Sequence, residues 1–535
     1  MLQQQIAHAC SLQLLAHPFS DTIPCPVLQY ADDTLIILRA TNNAAVHLRK
    51  ILDDFADATG LQIDFNKTTF VPIHLSQQEA DYVATTLGTS ISSFPQTYLG
   101  LPLSSTKLNQ ADFQPIIDNV DKYLAGWTAS LLSKGGRLIL LSAVLDSLPT
   151  HFMSSILLPA SVIHAIDSKR RAFFWAADDT CTGAQCLVAW DRTCTPKTMG
   201  GLGVKNLNAQ NVCLLLKFCF KFLHSDNTPW KQWIANHSPF ATHTTNPAHI
   251  GKILAKHMHL LTKITTCTVG NGKSVFFWHD SWLLNEPLAD AFPALFSHHL
   301  NQNNLVSDVL QNGVESGLRN RLTMAATQQL AALSLLLQGT TLTDDADSRL
   351  LLDGSAFSTR GAYVGIQTAL LNPDADRVWA SRVPNKVKIF GWLLLLDRLN
   401  TRANLRHKHI LDYELCPRFN APKEDRHNLF ISCPYAAQVW QKIGIQPNAQ
   451  PFRLLWDSPI PPHMPHEVWD SVLLIILWKI WDARNASVFR SIDQPASVTI
   501  KNIIHDLTLW AYRFSKADMR LAADLWRDHL TLCNM

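Results

Sequence analysis

Two adjacent carboxylates, Asp32 and Asp33, stand between the apolar runs 27–30 and 34–38. Aliphatic and β-branched runs of this length predict buried strands, and the few residues between them can only form a tight hairpin turn, with both acids at its tip. Such a pair suits Mg²⁺, a hard cation that takes one or two carboxylates and fills its shell with water and substrate phosphates. It would be half of a two-metal polymerase site. Adjacent Asp residues also serve as plain turn formers or helix caps. A second candidate, Gly272-Lys273-Ser274, invites a phosphate-loop reading, but Cys267 stands where the full motif needs its first glycine. Gly270-Asn271-Gly272 therefore predicts a tight hairpin turn between strands. In a third stretch, Trp469, Leu473, Leu474, Leu477, Trp478 and Trp481 recur at helical spacing before Arg484. Aromatic residues beside basic ones can stack on bases, yet the spacing favours a packed core.

The elements that must position these residues are legible in outline. Residues 43–58 place Leu48, Ile51, Leu52 and Phe55 on one helical face, and Gly60 stands where that helix should stop. Residues 61–65 and 69–73 read as short strands around Asn66-Lys67, giving half of a palm-like α+β sheet. From 109 to 175 the period is helical, with Phe113, Ile116, Ile117, Val120 and Leu124 on one face, then 137–148 and 162–175, which predicts a three-helix bundle. A plain helix is expected over 330–337 with its stop at Gly339, and one or two more over 497–530.

The chain has 535 residues, enough for about three to four folded units. Hydrophobic residues make up 47% and charged residues 17%, below the roughly 25% usual in soluble domains, which points to large buried interfaces. A net charge of +3 leaves any basic surface local rather than global. Eleven cysteines without a regular framework read as reduced thiols. No Lys or Arg precedes Arg39, and the apolar run near Val472 ends at Lys479, so neither a signal peptide nor a bilayer span is expected. The expectation is a soluble protein of the nucleus or cytoplasm with no membrane partner.

Tyr30-Ala31-Asp32-Asp33, then Gly60-Leu61-Gln62-Ile63-Asp64-Phe65-Asn66-Lys67, then Tyr98-Leu99-Gly100-Leu101-Pro102-Leu103 follow one another in an order that resembles the second half of a plant LINE-type (non-LTR retrotransposon) reverse transcriptase. The resemblance implies an RNA-directed DNA polymerase that uses Mg²⁺ and an RNA/DNA template-primer. Asp32 would be the principal metal ligand, Asp33 its weaker partner, and Tyr30 would line the nucleotide and primer end. Lys67 would lie near the incoming triphosphate, and Tyr98 and Gly100 in the turn that grips the primer. Lys67 reads equally well as an ordinary turn lysine. The family's other metal-binding Asp lies on a strand well upstream, and Asp21 lacks that strand context, so no autonomous polymerase activity is expected. Gly126-Trp127 and 131–138 resemble the family's thumb. Lys122, Lys134, Arg137, Lys169, Arg170 and Arg171 would there contact a nucleic-acid backbone, or else solvate a helix surface.

Residues 356–440 resemble the zinc-binding-type domain that follows these polymerases, through Trp379, Val383-Pro384-Asn385-Lys386-Val387-Lys388, Phe390, Trp392, Cys416-Pro417, His427 and Cys433-Pro434. The family pattern supplies Cys-Pro-x-Cys, His and Cys for Zn²⁺. Phe419 replaces the second thiolate, which leaves Cys416, His427 and Cys433, with Glu424, His407 or His409 as candidates for closure. The alternative is two buried thiols and a packed imidazole.

The expected architecture is α+β: a partial reverse-transcriptase palm (1–105), a helical thumb (106–180), a mixed connector (181–350), a degenerate zinc-binding-type domain (351–445) and a mainly α-helical C-terminal region (446–535). The expected function is a truncated reverse-transcriptase homologue without activity of its own. A non-catalytic nucleic-acid-binding protein is the alternative.

Overall fold

The computed structural model describes residues 1–18, 27–224, 228, 230, 231, 234, 249–367, 373–419, 421–448 and 450–534. They fall into two compact units, Met1–Pro115 and Ile116–Met535. Asp21 lies outside the described residues.

The first unit is built on α1 (Leu2–Ser11) and α2 (Asn42–Thr59). Thr41 caps α2 through its side chain, accepting from the Ala44 N–H at 3.1 Å, and Gly60 ends it at φ 73, a left-handed conformation that costs glycine little. Leu48 and Leu52 of α2 join Leu2, Ile6 and Val27 in one apolar core, against which Ile51 and Phe55 pack in part. Each such side chain, when fully buried, contributes roughly 1.5–3 kcal/mol. Strands β1 (Val27–Tyr30) and β2 (Asp33–Ile36) form an antiparallel hairpin in which Tyr30 pairs with Asp33. The strands are not buried as their composition predicts: Leu28 is 50% exposed and Tyr30 67%.

The strand expected over 61–65 does not form. Asp64 instead accepts from the Asn66 N–H through its side chain and from the Lys67 and Thr68 N–H groups through its carbonyl, closing a turn. Strand β3 (Thr69–Phe70) runs parallel to β4 (Ser90–Ile91), joined by α3 (Gln77–Leu87), whose start carries a reciprocal Ser76–Glu79 capping box. Strands β5 (Gln96–Tyr98) and β6 (Leu101–Leu103) form a hairpin with positive φ at Leu99 and Gly100. Among its described residues the unit thus holds three separate two-stranded ladders.

Helix α4 (Gln114–Ala125) leads into the second unit. Helix α5 (Lys134–Leu140) continues through a π-helical turn at Leu141–Leu145, and α6 (Ala160–Trp175) buries Ile163, Ile166 and Phe174. Gly135 lets α5 lie against the start of a later helix, since a Cβ there would stand 2.7 Å from the Lys386 nitrogen. Helices α7 (Leu207–His224) and α8 (His249–Lys263) pack together. Strand β7 (Thr265–Thr268) pairs antiparallel with β8 (Ser348–Leu351), a ladder that crosses the division expected at residue 350. Helix 324–337 ends before Gly339, at φ 88.

The C-terminal part comprises α9 (Pro373–Ala380), α10 (Asn385–Leu395), α11 (Arg402–His407), α12 (Pro434–Lys442), α13 (Trp469–Arg490), α14 (Ala496–Trp510) and α15 (Ala517–Cys533). Helix α13 is apolar on every face along Val472–Leu477, and all six residues are buried. A helix of that kind belongs in a core. Trp469 stacks on Trp526 and Trp478 meets Phe390 edge-on, so this aromatic stripe packs rather than presents rings to bases. Among the described residues no helix is long and apolar enough to cross a membrane.

Candidate nucleic-acid and metal sites

The hairpin turn has Ala31 at φ 54, followed by Asp32; Asp33 is already the first residue of β2. Both carboxylates are exposed and adjacent in sequence. Among the described residues, no group of three or more His, Cys, Asp or Glu side chains is placed to hold a metal ion. Tyr98 reaches this hairpin: its hydroxyl donates to the Leu28 carbonyl at 3.4 Å, so β5 braces β1. Gly100 sits in the turn beyond. Lys67 is 87% exposed and pairs with Asp64 at 3.4 Å within the same turn.

The six basic residues of the thumb-like region divide sharply. Arg170 is fully buried, paired with Asp146 and Asp167 and donating to the Lys205 carbonyl at 2.9 Å. Arg137 is buried too, its guanidinium 3.4 Å from the Phe173 carbonyl. The expectation that these two meet a nucleic-acid backbone is corrected: helical period places them on the inner face, where carboxylate and carbonyl partners stabilise the charge. Lys169 pairs with Asp121 at 2.6 Å and stays partly exposed, as does Arg171, while Lys122 is exposed. Lys134 is drawn inward, 5.5 Å from the Trp175 ring, and burial together with the neighbouring Arg137 and Lys408 charges lowers its amine to about 8.

In the zinc-binding-type region Cys416 and Cys433 are buried and hydrogen-bond each other. The Cys433 thiol and the backbone at Arg418 and Phe419 lower the Cys416 thiol to about 6, whereas Cys433 is pushed up by that neighbour and by burial. The turn therefore keeps its hydrogen-bonding to sulfur, although Phe419 offers no ligand and is 47% exposed. His427 precedes the π-helical turn Asn428–Ser432 and is half-buried. Glu424 does not approach as a ligand. It accepts from Arg484 at 2.6 and 2.9 Å and from the Arg402 N–H at 2.9 Å. Arg418 lies 3.9 Å from the Tyr435 ring and, with Arg484, Cys416 and Cys433, lines a void of about 10 Å³. Glu424 also lines it, but its carboxylate is already engaged by Arg484 and the Arg402 N–H, so the lining meets Zn²⁺ with two guanidinium cations against one engaged acid. These residues do not fit the ion.

Sequence reasoning missed Asp347. Its carboxylate accepts from the N–H groups of Gly270, Gly272 and Ser274, each at 2.8 Å, and from the Ser274 hydroxyl at 2.9 Å. The Gly-Asn-Gly-Lys-Ser loop is thus a cradle of donors filled by the protein's own anion. It is not the expected hairpin turn either, because β7 pairs with β8 instead of with the residues just after the loop. Beside it, Arg349 and Asp280 form a buried pair at 2.5 Å. The only signal for this network was the i, i+2 spacing of Asp347 and Arg349 at the start of β8, within a polar run that does not single them out.

Comparison with known proteins bears on the C-terminal part. Residues 357–440 match the family described as zinc-binding in reverse transcriptase. The chain is also similar to a protein of Arabidopsis thaliana named as a ribonuclease H protein, 25% identical over 441 residues, which are 73% of this chain and 66% of that relative. An uncharacterized mitochondrial protein of the same plant is 26% identical over 149 residues, 26% of this chain and 95% of the relative. The chain thus carries, over residues 357–440, a zinc-binding-type domain of reverse transcriptases.

Proposed function

We propose that this chain is a homologue of the LINE-type reverse transcriptases of plant retrotransposons that does not polymerise by itself. The observation that carries the reading is the hairpin: Asp32 and Asp33 are presented as a polymerase presents two of its acids, on a β-turn-β exposed to solvent. In-line phosphoryl transfer needs cations clamped on both the attacking and the leaving oxygen, and the described residues bring no third carboxylate to this pair. Primer extension with Mg²⁺ tests the reading. No incorporation above background is expected, and incorporation abolished by Asp32→Ala would overturn it.

A second reading, a nucleic-acid-binding protein of the same descent, is favoured by the distribution of charge. Lys197, Arg382, Lys388 and Arg513 gather near Trp379, and burial with these like charges lowers Lys388 to about 8. Among the described residues no ion pair involves any of the four. Like charges held together without acids suit a polyanion. Gel-shift binding that weakens with salt and with Lys197→Ala/Arg382→Ala is expected on this reading. Absence of affinity at low salt would end it.

A further inference from the structure

We propose that a cleft between residues 186–192 and 396–408 binds a phosphoryl anion, the phosphate group of a nucleotide or of a polynucleotide backbone. The proposal stands on the cleft's own geometry and does not depend on polymerase ancestry. The cavity measures about 450 Å³, within the range of small-molecule sites, roughly 300–1,000 Å³. Arg192, Arg398, His407 and Lys408 line it, beside an apolar wall that includes Leu187 and Leu396, and no carboxylate is among its lining residues.

The cationic groups are held in place before any ligand arrives. Asn404 donates from Nδ2 to the carbonyls of Asp397 and Leu399, at 3.0 and 2.9 Å, which pins the loop bearing Arg398 onto α11. The Lys408 N–H in turn bonds the Asn404 carbonyl at 3.1 Å, fixing the residue that follows the helix. The Lys408 Nζ is buried with no hydrogen-bond partner. Burial and the Arg398 charge both lower its basicity, and Lys134 of α5 lies close enough to feel the Lys408 charge. Of the two acids adjacent in sequence to lining arginines, Asp191 is exposed and outside the lining, and Asp397 is turned toward Asn404 at 3.5 Å and Arg426 at 4.0 Å. Among the described residues none of Arg192, Arg398 or Lys408 has an ion-pair partner. A buried, unpartnered ammonium beside arginines is costly unless an anion completes it, and guanidinium forks match phosphate oxygens two at a time.

Modification of the full chain by phenylglyoxal, read by mass spectrometry at Arg192, which lines the cleft and is exposed, tests the site. Saturating inorganic pyrophosphate should lower Arg192 labelling about tenfold while leaving the exposed Arg490 unchanged. A short single-stranded oligonucleotide run in parallel identifies the source. Protection by both assigns the site to phosphoryl groups in general, and protection by the oligonucleotide alone assigns it to backbone phosphates. Labelling unaffected by either would overturn the proposal. Arg398→Gln, at an exposed position, should raise the dissociation constant of the protecting anion about tenfold, the loss expected for one charge-assisted hydrogen bond. An unchanged constant would also overturn it. Gel-shift binding that persists with Arg192 unprotected removes the cleft and leaves the broader nucleic-acid reading intact.

Discussion

Glu424 and Arg484 form a two-pronged bond in the interior, with Arg484 Nη2 at 2.6 Å and Nε at 2.9 Å from the two carboxylate oxygens and side-chain exposures of 0% and 5%. The pair joins the segment between the two cysteines to α13, and it places a guanidinium in the lining of the void beside Cys416 and Cys433. An organic cation held by a carboxylate here links elements that a metal would otherwise have to join.

Removing one partner of this pair leaves an uncompensated buried charge. Arg484→Met is expected to destabilise the chain by about 3–5 kcal/mol, read as a fall in the urea midpoint. Combining it with Glu424→Gln should recover most of that loss, because Gln still accepts from the Arg402 N–H. A double variant as unstable as the single one would refute the role assigned to the charge.

Zinc should not be retained. Metal analysis of the purified chain after equilibration with Zn²⁺ is expected to give far less than one equivalent, and Phe419→Cys alone should not change this, since Arg418 and Arg484 still line the void. One equivalent in the unmodified chain would contradict the geometry.

Acid should act through Asp347. Burial raises its pKa, but the N–H donors of Ser274, Gly270 and Gly272 outweigh burial and hold it below the usual carboxylate range. Its folded pKa is depressed, so its contribution is present above about pH 4, the unfolded value, and is lost as pH falls through the folded one. Asp347→Asn should cost about 1–3 kcal/mol at pH 7 and flatten the acid limb of a stability profile followed by circular dichroism. An acid limb unchanged by this substitution would be the contrary result.

Lys134 makes the opposite case. Its amine is lowered to about 8 from an ordinary value near 10.5, so the folded state bears a cost that is complete below pH 8 and vanishes as pH rises through the unfolded value. Lys134→Met should therefore raise stability at pH 7, by roughly 1–3 kcal/mol, with the gain shrinking toward pH 10. A gain that persists unchanged at pH 10 would show packing rather than charge as its source.

What the sequence determined by itself is local. Thr41 and Gly60 bound α2, Leu48 and Leu52 mark its buried face, and the Asp32–Asp33 hairpin follows from two short apolar runs with no room between them for anything but a turn. These features depend on neighbours a few residues away, and periodicity and capping report such neighbours directly. Tertiary structure decided the partners of charged groups. Arg170 and Lys122 are indistinguishable as basic residues on helices, yet one is sealed against Asp146 and Asp167 and the other is open to solvent. Asp347 closes a loop more than seventy residues before it, and Arg484 meets a carboxylate sixty residues away. A chain's charge pattern carries no record of which distant backbone donors or carboxylates will desolvate together, because burial of charge is settled only when remote elements pack. The same holds for the cleft around Lys408, whose cations come from two segments that sequence alone gives no reason to join.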